Sequence, residues 1–311
     1  MIQYSKCCAL IVIGLSAACA SPRDASVPIA PNVDASTQEP RTATSDVTDK
    51  GNTPRPQQQE SAAALVPLPS VLDFTHGDGL GLALGLGVEY EGAYDGADEY
   101  ELGVEPAGAV QWRTGDNLFF WEGIEAGWRS LVSDRSLLQL SARYEGGREA
   151  DDSENGNLNG LQNTEDYVVG SVEFRQGLDD EWRNWVGGKA LIGETDFGLL
   201  GVLAAGHRFG DARDGTGTEA FGYASFGDAA FMNRDFGITA AEAVASGLDE
   251  VRLDGGFRAT GLTLVHRCNL WSQLHCIAQA NVEFYGDEVR RSDIARENYE
   301  AEVSVAFVWI F

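Results

Sequence analysis

The chain has 311 residues and carries 22 basic against 48 acidic side chains, a formal charge of -26. That surplus repels phosphate backbones, so a nucleic-acid partner is excluded. Past the N-terminus no apolar run reaches the roughly 18 residues a membrane-spanning helix needs, so any membrane crossing is made by strands.

The first 20 residues read as an export signal. Lys6 supplies the positive region, "CCALIVIGL" the apolar stretch and "SAACAS" a small-residue cleavage zone. Two cuts fit: Ala18 and Ala20 form an ordinary A-x-A site, whereas "LSAAC" is a lipobox, imperfect at Ser16, that makes Cys19 a lipidated first residue. Residues 21–70 follow, rich in Pro, Ser, Thr, Gln and Asp and nearly free of aromatics. Such a stretch buries too little surface to offset its ordering entropy and reads as a disordered tether. Of nine prolines, eight lie at or before Pro69, and of 37 glycines all but two lie beyond residue 70, so the tether and residues 71–311 are physically different regions.

Beyond the tether, "GLGLALGLGVEYEG" opens the folded part. Leu80, Leu82, Leu84, Leu86, Val88 and Tyr90 alternate with Gly81, Ala83, Gly85, Gly87 and Glu89. Strand side chains point to opposite faces with period two, so one face is greasy and the other is small, then acidic. Similar segments recur, separated by Gly, Asp and Asn clusters. Leu102, Val104, Val110 and Trp112 oppose Glu101, Glu105, Gln111 and Arg113; Leu138, Leu140 and Tyr144 oppose Gln139, Ser141 and Arg143; Val168, Val172 and Phe174 oppose Ser171, Glu173 and Arg175. A soluble sandwich would show lysine-rich edges, but only Lys189 follows residue 50. The pattern predicts an all-β fold, an antiparallel transmembrane β-barrel whose apolar face meets lipid and whose polar face lines a confined interior. Glu89, Glu105, Arg113, Arg143, Glu173, Arg175 and Glu283 are the expected lumen charges, a network filling a small interior in preference to a selectivity filter.

Strands are expected to begin near Leu80, Gly103, Asn117, Ile124, Leu137, Tyr167, Trp182, Phe197, Glu219, Gly256, Cys276 and Ala301, twelve in all. The count depends on splitting "NLFFWEGIEAGWRSLV" at Gly123, and ten strands is the alternative. Short turns fall on the periplasmic side and acidic loops near 92–99, 147–166, 232–255 and 286–300 on the outer side. In one loop, Thr239 and Glu242 form a capping box with Gly247 as stop, which predicts a short helix. The last strand sets Val303, Val305, Phe307, Trp309 and Phe311 on one face; of these Val305, Phe307, Trp309 and Phe311 have the form of an outer-membrane assembly signal.

The stretches "FFWEGIEAGW", "ARYEGGREADDSENGNLNGL", "AAFMNRDFGITAAEAVASGL" and the aromatic terminus, in that order, resemble the MltA-interacting protein (MipA/OmpV) family over roughly residues 79–311. The resemblance implies an outer-membrane barrel, with at least one member a scaffold linking a lytic transglycosylase to a murein-synthesising penicillin-binding protein. Other members are linked to adhesion or solute entry. The partners it implies are those enzymes, alongside outer-membrane lipid, lipopolysaccharide and the barrel-assembly machinery. A narrow channel for small solutes and a surface adhesin acting through the acidic loops are the alternative functions.

Catalysis and cofactors are not expected. A barrel hydrolase needs a base near its outer rim, and none of His76, His207, His266 and His275 falls there. No nucleotide-binding glycine loop occurs. "DDSENGNLNG" sets Asp151, Ser153 and Asn155 at calcium-loop offsets, but Gln162 replaces the bidentate Glu and no helices flank it, so a solvated turn is the simpler reading. Cys268 and Cys276, in an oxidising compartment, suit a disulfide closing a short turn, with two buried thiols as the alternative. The seven tryptophans, mostly near strand ends, read as membrane-interface girdles.

Overall fold

The computed structural model describes residues 74–75, 77–148, 153, 155–194, 196–209 and 216–311. The export signal, Cys19, the tether, His76 and Asp151 lie outside them.

Twelve strands close into one antiparallel barrel, each paired with its chain neighbours and the last with the first. They are β1 (Gly79–Gly92), β2 (Tyr100–Thr114), β3 (Asn117–Glu122), β4 (Glu125–Ser133), β5 (Ser136–Glu145), β6 (Tyr167–Gly177), β7 (Asn184–Ile192), β8 (Leu199–Phe209), β9 (Gly217–Gly227), β10 (Gly256–Asn269), β11 (Leu274–Tyr285) and β12 (Tyr299–Ile310). The split at Gly123 is real: its φ of 52° is the left-handed turn that a side chain resists, and it joins β3 to β4. Closure runs from Ala83 opposite Ile310 to Tyr90 opposite Val303. At Gly85 a Cβ would lie 2.1 Å from the Phe307 carbonyl oxygen, so only glycine fits the β1–β12 seam there.

The alternation sorts the faces as expected. Leu80, Leu86, Leu102, Val104, Val168, Phe174, Phe307 and Trp309 are exposed, forming the band that meets hydrocarbon. Tyr90 stacks on Tyr100 at 5.4 Å between centroids and Phe284 packs on Tyr299 at 6.4 Å, near the outer ends of their strands, where aromatic rings favour the headgroup level.

The wall is uneven. β2 pairs with β1 from Tyr100 to Arg113 but with β3 only from Ala109 to Thr114, and the contact ends where the Gly123 N–H reaches the Gly108 carbonyl at 3.1 Å. Pro106 lies just beyond. It has no N–H to extend a ladder and is tolerated on an edge, which accounts for a β3 of six residues where a tilted membrane strand takes about 9–11. Among the described residues the free edge of β2 from Tyr100 to Gly108 has no strand partner, leaving a notch above the β3–β4 hairpin.

Two helices sit in the connection from β9 to β10. In α1 (Ala229–Phe236) the Asp228 side chain caps the first turn by accepting from the Phe231 N–H. In α2 (Ala240–Ser246) the capping box of Thr239 and Glu242 forms, and Gly247 ends the helix in the left-handed region at φ 79°. The expected short helix is therefore present, and α1 is an addition to it.

Candidate functional site in the barrel lumen

Inward-facing positions of β4 to β11 fill the barrel with paired charges and aromatic rings. Arg175, 1% exposed, donates to Glu173 at 2.6 Å and lies with its guanidinium 4.7 Å from the Trp185 ring centroid. Glu219 lies 3.5 Å from Arg208 and 3.9 Å from Arg267. Arg129 donates to Gln139 at 2.9 Å, and Arg143 forms an ion pair with Glu145 at 2.7 Å. Tyr223 donates to Glu283 at 2.9 Å, and Arg258 bridges Glu283 and, at 2.8 Å, Asp95 of the first outer loop. Between these groups pack Trp185, Phe221, Tyr223, Val202 and Val265. Buried charges stay folded most readily when paired and hydrogen-bonded, and these arginines each lie beside a carboxylate, amide or ring.

The wall of β12, β1 and β2 differs. Its inward residues are small (Gly87, Ala107, Ser304, Ala306) and only half-buried, with Glu89 and Glu302 half-buried above them and Glu105 exposed. Water therefore reaches this strip. The exposure of Glu105 follows from the notch, since no strand beyond β2 covers it.

Both ends of the barrel are closed over. At the outer end Tyr94, Leu158, Met232, Phe236, Ile238, Leu253, Tyr285 and Ile294 form one apolar core drawn from four outer connections. The Ser292 hydroxyl donates to the Phe236 carbonyl at 2.6 Å, and the Arg148 guanidinium to the Asp235 carbonyl at 2.6 Å. The Gln162 N–H donates to Glu242 at 3.0 Å, tying α2 to the long loop after β5. Burial pushes the Glu242 carboxyl up, but hydrogen bonds from Thr239 and Gln162 outweigh it and hold the group below the usual carboxylate range. At the periplasmic end Phe74 and Thr75 turn inward: the Phe74 N–H donates to Gln111 at 3.2 Å and Arg113 to the Thr75 carbonyl at 2.8 Å. Asp179 accepts from the backbone N–H groups of Arg183 and Asn184 at 2.8 and 2.9 Å, and although burial opposes them these bonds hold its carboxyl low. Arg135 crosses to Asp180 at 2.7 Å, joining the β4–β5 and β6–β7 turns.

The expected lumen residues all face inward. Arg113, Arg143, Glu173, Arg175 and Glu283 are buried in the network, while Glu89 and Glu105 belong to the water-reached strip. The same alternation also brings in Arg129, Lys189, Arg208, Glu219 and Arg267, which were not anticipated although each stands in phase with its strand's inward face, whereas Arg258 is turned inward out of phase by the register shift between Phe257 and Ala259. Val305, Phe307, Trp309 and Phe311 lie on the lipid side of the last strand.

Two expectations need correction. Cys268 and Cys276 do stand opposite each other on β10 and β11, but Cys276 is a free buried thiol, so the two are not cross-linked; the ladder already closes that hairpin without a covalent link. Of the calcium-loop candidates, Asp151 lies outside the described residues, while the Ser153 hydroxyl and the Asn155 N–H, the latter at 3.1 Å, both donate to Glu99. Trp182 and Trp185 are not girdle residues, because both are buried, the Trp182 indole donating to the Asp134 carbonyl at 3.0 Å. Of the histidines, His207 bonds Asn184 at 2.8 Å and His266 bonds Thr218 at 2.9 Å, both toward the periplasmic end.

A family model described as "MltA-interacting protein MipA" matches residues 84–311. No curated protein matches the chain. Solved structures resemble it loosely. A bacterial polysaccharide outer membrane secretin has a TM-score of 0.42 at 8% identity, covering 75% of this chain and 98% of its own. The Pseudomonas putida toluene transporter TodX scores 0.38 at 10% identity, covering 80% and 92%, and the Ralstonia pickettii toluene transporter TbuX 0.36 at 10%, covering 75% and 89%. Nothing is carried over from likenesses at that level.

Proposed function

Because the chain belongs to the MipA family of MltA-interacting proteins and is an outer-membrane β-barrel, we propose that it serves as a non-catalytic docking protein for enzymes that remodel murein. Its partner is a lytic transglycosylase, as the family's description suggests, with a penicillin-binding protein as the second enzyme brought alongside.

One observation carries this reading: most of the barrel interior is filled with packed side chains and its outer mouth is sealed by a loop core, while the described turns at the opposite end present exposed side chains, two of them tied by the Arg135–Asp180 bridge. A barrel so filled is a platform. Among the periplasmic turns, Trp271 in the β10–β11 hairpin is 68% exposed beside Leu270, and buried aromatics are what protein interfaces use as anchors. The Arg135–Asp180 bridge adds a polar rim.

Crosslinked envelopes test it. The transglycosylase should co-purify with the wild-type barrel, and Trp271→Ala combined with Arg135→Glu should lower its recovery on the order of tenfold, the loss of one interface anchor. Unchanged recovery from a correctly inserted double variant would remove the docking role.

A further inference from the structure

The notch beside β2 lies within the bilayer. On the lipid side of β2, Tyr100 stacks on Tyr90 at the outer end and Trp112 stacks on Phe119 at 5.5 Å near the inner end, so the strand carries an aromatic belt at each interface. Leu102 to Pro106 therefore cross the outer half of the hydrocarbon. Over that stretch β2 is open on both faces: Glu101, Leu102, Val104, Glu105 and Pro106 are all exposed, because the β3–β4 hairpin stops at Gly123. Backbone groups face the gap. The Gly108 carbonyl points there, accepting from the Gly123 N–H, and alternate residues of an antiparallel strand share that direction, so the carbonyls of Leu102, Val104 and Pro106 face it too. Only Leu102 and Val104 add an N–H beside them, since proline has none. An edge of this kind in lipid needs a partner.

Behind the edge is a hollow. Glu105 stands opposite Gly87 and Glu89 opposite Gly103 on the inward face, so each carboxylate has bare backbone beside it, and a Cβ on Gly103 would meet nothing within 4 Å. Buried Gln111 and Arg113 end the hollow below. The outer mouth above is sealed, so the hollow opens sideways, into the outer leaflet.

We propose that this notch binds an amphiphile of the outer leaflet that has a primary ammonium head and a long apolar tail. The head enters the hollow, where Glu105 and Glu89 supply negative charge and the free carbonyls accept its N–H groups. The tail stays in the leaflet against Leu102 and Val104 and against Trp121 and Ile124 at the hairpin top, which are 64% and 56% exposed. Charge sets the kind of head. Every charged side chain of β1 and β2 above Arg113 is a carboxylate, and acceptors outnumber donors along the edge, so an anionic head is repelled. The recess is blind, and it holds its ligand without passing it across the membrane. It also lies away from the periplasmic turns assigned to docking, so the two sites are tested separately.

The test uses the full chain in lipid vesicles holding a trace of a long-chain primary amine with a diazirine beside its head. After irradiation the attachment sites are read by peptide mass analysis. Labelling should concentrate on residues 100–108 and 121–125. Gly103→Trp fills the hollow, whose open space admits the ring, and should lower that labelling on the order of tenfold. Glu105→Gln keeps the shape, removes one charge-assisted contact and should lower it several-fold. The same chain with a carboxylate head should label the notch no more than the rest of the lipid-facing band. Heat-modifiability reports folding, and should Gly103→Trp fail to fold, Glu105→Gln and the comparison of heads decide. Labelling spread evenly around the barrel, or undiminished in folded Gly103→Trp, would overturn the site. Equal labelling by both heads, or no loss in Glu105→Gln, would overturn the ammonium ligand.

Discussion

Arg175 and Glu173 show how the interior is held. Both are nearly fully buried on one face of β6, two residues apart, with the guanidinium also lying over Trp185. Removing one partner leaves the other charge unpaired in a dry interior. Arg175→Met is therefore expected to destabilise the barrel by about 3–5 kcal/mol, whereas adding Glu173→Gln to it should recover most of that loss. Urea unfolding in lipid vesicles, followed by tryptophan fluorescence, checks both, and a double variant no more stable than the single one would mean that packing on Trp185 carries the effect. Period two alone set which way each of these side chains points, and so placed Glu173 and Arg175 indoors without any knowledge of their neighbours. What it could not set is partnership, because that depends on register across strands. Trp185 shows the same limit: proximity to a strand end suits a girdle, but its alternation with the outward Val186 puts it inside.

At the scale of elements, the α2 cap is the feature most open to measurement. Thr239 and Glu242 satisfy each other's backbone donors, and Glu242 also accepts from Gln162 across the loop. Thr239→Ala should cost about 1 kcal/mol of local stability, read as faster amide exchange in α2 and near Gln162. The sign of the pH effect follows from the carboxyl being held low in the folded loop: its contribution is full above the unfolded value of about 4.3 and fades as pH falls toward the folded one. Acidification through that window should loosen the loop in wild type, and less so in Thr239→Ala. This helix was legible because a capping box and a terminal glycine are local signals. By contrast α1 went unread: Asp228 is a serviceable cap, but Met232 and Phe236 point into a core assembled from distant loops and Phe231 into the barrel interior against Phe197, which a local pattern cannot anticipate. The strand starts fell within three residues of expectation, β2 at Tyr100 against Gly103 being among the widest gaps. Pro106 was visible too, yet its consequence, a short β3 and a notch, appears only once register is known.

For the whole molecule, the barrel ladder and the outer cap should be separable. The ladder is continuous around the circumference, whereas the cap rests on a loop core in which Phe236 is fully buried and packs on Tyr285 at 5.7 Å. Phe236→Ala should remove about 3–5 kcal/mol from that core, and because none of the strand pairs depends on it, the loss should appear as protease sensitivity of residues 228–255 while barrel unfolding stays near wild type. If docking occurs at the periplasmic turns, such a decapped barrel should still recover the transglycosylase from crosslinked envelopes, while Trp271→Ala with Arg135→Glu should not. The opposite pattern would place the partner surface at the outer mouth, where the acidic loops stand, and turn the reading from murein docking toward contact with the cell's surroundings.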